Sequence, residues 1–268
     1  MTNPITIGRR LLVGNSIFRG IGSGRGFFKS HFSFGRSILT LNEPEKQKQD
    51  GPDSIISIAI ENGLKEIYLV EDCLTGFLTA FKNCQKHDIQ LKFGLRLQVC
   101  NSYESTASSC HKLILFALND AGFKDISKIY TFANTEKESV ICNADLYNRL
   151  TDNILIAVPF YDSYIWKNRY TFSNCMPDFL DKLDVIYFVE NNKLPFDKIT
   201  TDFIRASGKG NIVESKTIYY KNREDLQAWV TYKIACNRNM GKNQSLSAPE
   251  LSGCGSGEFC FQSWKELS

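Results

Sequence analysis

Asp72 follows the apolar run Glu66 to Val70 and Arg96 lies in the next one, Ile89 to Val99, and between the runs Phe77, Leu78, Phe81 and Cys84 recur at three- and four-residue spacing. That periodicity predicts a strand, an amphipathic helix and a second strand, hence a parallel pair joined by a right-handed crossover. In such units ligand chemistry collects where the strands end, so a carboxylate and a guanidinium are expected to meet at one strand-end site. Other chemical resources are sparse. The chain has three histidines, His31, His87 and His111, and nine cysteines with no CxxC pair. An odd, scattered set of thiols fits a reduced, cytoplasmic protein better than a disulfide framework or a zinc site.

Charge is distributed unevenly. The net charge is +3, yet no acidic residue precedes Glu43, whereas Arg9, Arg10, Arg19, Arg25, Lys29 and Arg36 all do. A basic front with glycines at 20, 22, 24 and 26 is suited to phosphate, which makes Arg9, Arg10, Arg19, Arg25 and Arg36 candidate nucleic-acid contacts. A solvated flexible arm has the same composition. It is no dinucleotide fingerprint, because neither the helix nor the acidic residue of that motif follows. Nor does any apolar run approach the roughly 20 residues that cross a bilayer.

The elements that must position these residues follow one scheme. Residues 27–41 read as a strand and a turn, 42–51 as a polar loop, and 54–62 as a short helix capped by Asp53 and ended by Gly63. His111 opens a strand to Ala117, and residues 123–132 form a helix with Ile126, Ile129 and Tyr130 on one face. Strands are expected at 153–158, 184–189 and 211–220, alternating with helices at 144–150, 177–183 and 198–206, before a last helix at 224–237. Strand and helix thus alternate six or seven times, which predicts a parallel α/β sheet, closed into a barrel or doubly wound. A basic arm over 1–26, a barrel over 27–238 and an irregular exit segment over 239–268 are the expected divisions.

The order of motifs resembles the polymerase-and-histidinol-phosphatase (PHP) domain, in the version found at the N-terminus of the bacterial and phage DNA polymerase III alpha subunit. The pieces that carry the resemblance are SHFS at 30–33, ENGLKEIYLVED at 61–72, FGLRLQV at 93–99, CHKLILFALNDAGFKDISKIY at 110–130 and TIYYKNREDLQAWVTYKI at 217–234. The tail EFCFQSWKEL is similar to the segment that leads out of this domain toward the polymerase. The resemblance implies a distorted (β/α)7 TIM-like barrel whose strand ends, in active members, hold metals through His, Asp and Glu.

This chain departs from that ligand set. Lys29 replaces the first histidine of the His-x-His triplet, Cys73 the histidine of the Asp-His pair, Arg96 a glutamate, and Thr217 and Tyr219 the late Asp-x-His. His31, Asp72 and His111 keep their register as a vestigial site. Fixed positive charge at Lys29 and Arg96 opposes cation binding, so no metal, no other cofactor and no catalytic residue are expected here. A salt bridge from Asp72 to Arg96 or Lys29 would then hold the strand ends together. The resemblance implies a non-catalytic module of a DNA-directed DNA polymerase, a fragment or a split subunit, partnered by the polymerase catalytic part and other replisome proteins. DNA would be met through the arm and no membrane is involved. Two alternatives remain: an active metal-dependent phosphoesterase or 3′–5′ proofreading exonuclease, and a stand-alone nucleic-acid-binding protein.

Overall fold

A computed structural model describes residues 24–33, 36–104, 109–208, 210–238 and 256–267. Eight strands form its sheet: β1 (Arg25–Phe28), β2 (Glu66–Glu71), β3 (Gln90–Cys100), β4 (His111–Ala117), β5 (Val140–Cys142), β6 (Ile154–Val158), β7 (Val185–Val189) and β8 (Asn211–Ile218). Seven of them close into a barrel in the order β2-β1-β8-β7-β6-β4-β3, with β3 returning to pair with β2, while β5 adds to the far end of β3. The helices are α1 (Ile55–Glu61), α2 (Phe77–Lys86), α3 (Asp120–Thr135), α4 (Asn143–Arg149), α5 (Tyr164–Tyr170), α6 (Asp197–Ala206), α7 (Leu226–Arg238) and α8 (Phe261–Leu267). None of the described helices is long and apolar enough to cross a membrane.

Local chemistry sets the helix starts. The Ser54 hydroxyl accepts from the backbone N–H of Ile56 and Ser57 to begin α1, Asn119 accepts from Gly122 N–H to begin α3, and Ser163 accepts from Trp166 N–H to begin α5. The cap of α1 is therefore Ser54, one residue past the expected Asp53.

The all-parallel expectation requires correction at one strand. β4 runs antiparallel to both neighbours, β3 and β6, with ten residues between the end of β3 and its own start. An antiparallel neighbour needs no crossover, so the chain reverses here and comes back beside β3. The start of β4 consequently lies with the C-terminal ends of the other strands.

Side-chain alternation sorts the core into two layers. Phe27, Tyr68, Val70, Ile114, Phe116, Leu155, Ala157, Ile186 and Phe188 fill the barrel interior. Gly94 on β3 leaves room for the Phe116 ring, which a Cβ there would approach to 2.7 Å. The opposite faces, including Phe28, Leu69, Leu95, Leu115 and Val189, pack outward against Ile55, Ala80, Ile126, Ile129 and Ile204 of the helices.

Both expected domain boundaries move. Arg25 pairs with Ser215 and Gly26 with Lys216, so the barrel begins at β1 inside the stretch assigned to the arm. Residues 256–267 are also part of the body: Cys260 bridges to Tyr220, Phe261 stacks on Phe28, and Phe259 packs with Tyr219, Tyr220 and Trp229. The segment stays because its aromatic residues bury surface that β1 and β8 would otherwise expose.

Candidate functional site

Continuing the inward-facing alternation past the apolar interior brings Lys29, Asp72, Arg96, Lys112, Pro159, Glu190 and Thr217 to the barrel mouth, at the C-terminal ends of the parallel strands. A cavity of about 340 Å³ opens there, lined among others by Lys29, Arg36, Arg96, Tyr161, Trp166, Lys167 and Tyr219. The expected ion pair forms at this mouth, with Arg96 in the cavity wall. Arg96 donates from Nε to Asp72 Oδ1 at 2.6 Å and from Nη2 to Oδ2 at 3.0 Å, with Lys29 Nζ at 3.7 Å from Oδ1 and Arg36 Nε at 3.7 Å from Oδ2. Burial alone would raise the Asp72 carboxyl, but Lys29, Arg96 and Arg36 hold it well below the usual carboxylate range. Lys29 is buried, and that burial, reinforced by Arg96, lowers its ammonium to about 8.

The loop that carries Lys29 and Arg36 is tied down from the outer side of the strands. Glu71, buried behind the mouth, accepts from Ser30 N–H at 2.6 Å and from the Ser33 hydroxyl. Cys73 Sγ donates to the Phe32 carbonyl at 3.4 Å. Trp229 Nε1 donates to the Arg36 carbonyl at 2.9 Å, so α7 also positions this loop. Across the mouth, Glu190 accepts from Thr217 N–H at 3.0 Å, from Thr217 Oγ1 at 2.7 Å and from Asn192 Nδ2 at 2.9 Å. Burial raises the Glu190 carboxyl, and the Thr217 bonds oppose that rise.

The three residues in vestigial register do not converge. Only Asp72 faces the mouth. His31 lies in the turn after β1 with Nδ1 3.3 Å from the Leu39 carbonyl and its ring against Phe32, and it does not line the cavity. His111 pairs with Val99 at the mouth end of β3, yet its side chain points outward, buried, with its ring centroid 5.9 Å from that of Tyr164. Its neighbour Lys112 takes the inward place. Among the described residues no group of three or more His, Cys, Asp or Glu side chains is arranged to hold a metal. Asp72 is committed to Arg96, Glu71 to Ser30 and Ser33, and Glu190 to Thr217. The donor set therefore does not fit the metal cluster of active relatives, and cationic groups stand where ligands are needed.

Of the expected nucleic-acid contacts, the two among the described residues lie apart. Arg25 opens β1 at the opposite end of the barrel, 5.9 Å over the Tyr68 ring and 3.8 Å from Glu66, whereas Arg36 lines the mouth. Arg9, Arg10 and Arg19 lie outside the described residues. Glu190, Asp162, Lys112 and Lys167 were missed at the sequence level. Glu190 follows the apolar run VIYFV as Asp72 follows IYLVE, so the same strand-end rule would have found it.

The family model for the PHP domain matches residues 48–214, more than half of the chain. The chain belongs to the PHP domain family. The matched stretch holds Asp72, Arg96, His111 and Glu190, and the fold brings Lys29 and Tyr219 from either side of it to the same mouth. Among solved structures, a protein from Bifidobacterium adolescentis assigned as a metal-dependent phosphoesterase is similar, at 8% identity and a TM-score of 0.40, over 73% of this chain and 88% of that one. No curated protein sequence matches this PHP chain.

Proposed function

We propose that this chain is a non-hydrolytic PHP module of a C-family replicative DNA polymerase, in which an ion-pair network takes over the structural role of the metals. The observation that carries the metal-free part is the two-point contact of Arg96 on Asp72, with the Lys29 ammonium 3.7 Å away. A guanidinium so placed occupies both oxygens of the one inward carboxylate that keeps its family register. The polymerase part rests on the order of motifs from SHFS at 30–33 to TIYYKNREDLQAWVTYKI at 217–234.

A phosphoesterase is the second reading, favoured by family membership, since active PHP domains hydrolyse phosphoesters. Elemental analysis of the purified protein, joined to hydrolysis of a chromogenic phosphodiester with added manganese or zinc, separates the two. The expected result is less than one tightly bound metal per chain and no turnover. Two or more metals with metal-dependent turnover would favour the phosphoesterase. Co-elution with a C-family polymerase catalytic fragment lacking its own PHP domain tests the module assignment.

A further inference from the structure

The mouth contains one ammonium group that its neighbours leave without a hydrogen-bond acceptor. The Lys29 side chain is 3% exposed, and among the described residues its Nζ has no hydrogen-bond partner. Its ion-pair partner is Asp72 at 3.7 Å, and both oxygens of that carboxylate already accept from Arg96. A buried charge that lacks an acceptor is costly unless a ligand completes it.

Lys29 lines the mouth cavity together with Arg36 and Lys167, which approach from the loop after β1 and from α5. We propose that this cavity binds a phosphate monoester directly, with Lys29, Arg36 and Lys167 on its oxygens and no metal between them. The proposal rests on the metal-free reading above. Three cations on two separate elements suit a tetrahedral group with three terminal oxygens better than a planar carboxylate with two.

Two acids line the same cavity and oppose an anion, but both are engaged. Asp162 lies 3.5 Å from Arg96, and Glu190 is satisfied by Thr217 and Asn192. Lys112 adds positive charge at the mouth, where it interacts with both Asp72 and Asp162. Tyr161, Trp166 and Tyr219 also line the cavity and offer rings to a base or sugar attached to the phosphate.

The test titrates inorganic phosphate and deoxyadenosine monophosphate into the full chain in EDTA, followed by calorimetry. Both are expected to bind with dissociation constants on the order of 1 mM or tighter. Lys29→Met, checked for folding by circular dichroism, should weaken binding about tenfold or more, a shift of about 1.4 kcal/mol. Lys65→Met, at the exposed position just before β2, should leave it unchanged. No binding at about 20 mM ligand with or without added manganese, or equal weakening by both variants, overturns this proposal alone. Binding that appears only with manganese overturns the metal-free reading as well.

Discussion

The indole Nε1 of Trp264 donates to the carbonyl of Gly24 at 2.7 Å, joining the last helix to the first strand across 240 residues of sequence. Trp264 also packs on the face of Gly26, where a Cβ would come within 3.1 Å of the ring. Through this contact the tail becomes the outer cover of β1. Trp264→Ala should cost about 2 to 3 kcal/mol, and Trp264→Phe, which keeps most of the ring packing and loses the hydrogen bond, about 1 kcal/mol. Urea unfolding of the two variants checks the ranking. Equal stability of Trp264→Ala and the parent would mean that the tail does not hold β1.

Arg96→Met should destabilise by about 3 kcal/mol, because it leaves the Asp72 carboxylate with cations only at 3.7 Å. Arg96→Glu should be worse, since two carboxylates then share the mouth. Neither change is expected to create phosphoesterase activity, because Cys73, Thr217 and Tyr219 still stand at ligand positions and His111 still faces outward. Replacing the pair together, as Asp72→Leu with Arg96→Met, should recover only part of the loss, because Lys29 and Arg36 then lose the carboxylate they share, and a melting-temperature cycle over the four proteins reads it.

Acid sensitivity should trace in part to His111. Burial, assisted by Lys167, lowers its imidazole to about 4 from an ordinary 6.5. Between these values the unfolded chain binds a proton that the folded chain refuses, so stability falls as pH drops from about 6.5 to 4 and this contribution levels off below. His111→Phe should flatten that slope. Denaturation midpoints at pH 7, 5.5 and 4.5 measure it, and an unchanged slope would place the acid sensitivity elsewhere.

Lys29 should act in the alkaline range in the same sense. Its ammonium is lowered to about 8 from 10.5, so the unfolded chain holds the extra proton between those values and stability rises as pH climbs through them. Lys29→Met should remove this rise and stabilise the protein near pH 7. A fall in stability at pH 7 would show that the ammonium's attraction to Asp72 outweighs its burial cost.

Gly122→Ala tests the seat of α3 under β6. A Cβ at this position would lie 2.1 Å from the Asn153 carbonyl oxygen, a backbone atom that cannot turn away. Alanine favours helices by about 1 kcal/mol over glycine. The displacement of α3 should outweigh that gain and cost about 2 kcal/mol net, read as a lower urea midpoint.

Much of the fold was legible because burial leaves a periodic trace. Apolar runs at 66–70, 111–117, 154–158 and 185–189 are strands, and the faces of α2 and α3 follow their three- and four-residue spacing. The pairing of Asp72 with Arg96 was legible too, since both sit at strand ends of one β-α-β unit. Their family register carried the remaining expectations about the mouth.

Direction, facing and distant contact were decided only by the tertiary structure. Alternation of period two reads the same whichever way a strand runs, so nothing in HKLILFA says that β4 is antiparallel. Facing depends on register to a single residue: His111 and Lys112 exchange inside for outside with a one-residue slip, and the pairing of Gln98 with Lys112 puts the lysine in the mouth. Arg25 and Arg36 look like one basic stretch along the chain, yet β1 crosses the barrel between them and parts their charges. The tail EFCFQSWKEL reads as a way out through its resemblance to the family's exit segment, whereas the surface that Phe261 and Trp264 bury on β1 exists only once the barrel has closed.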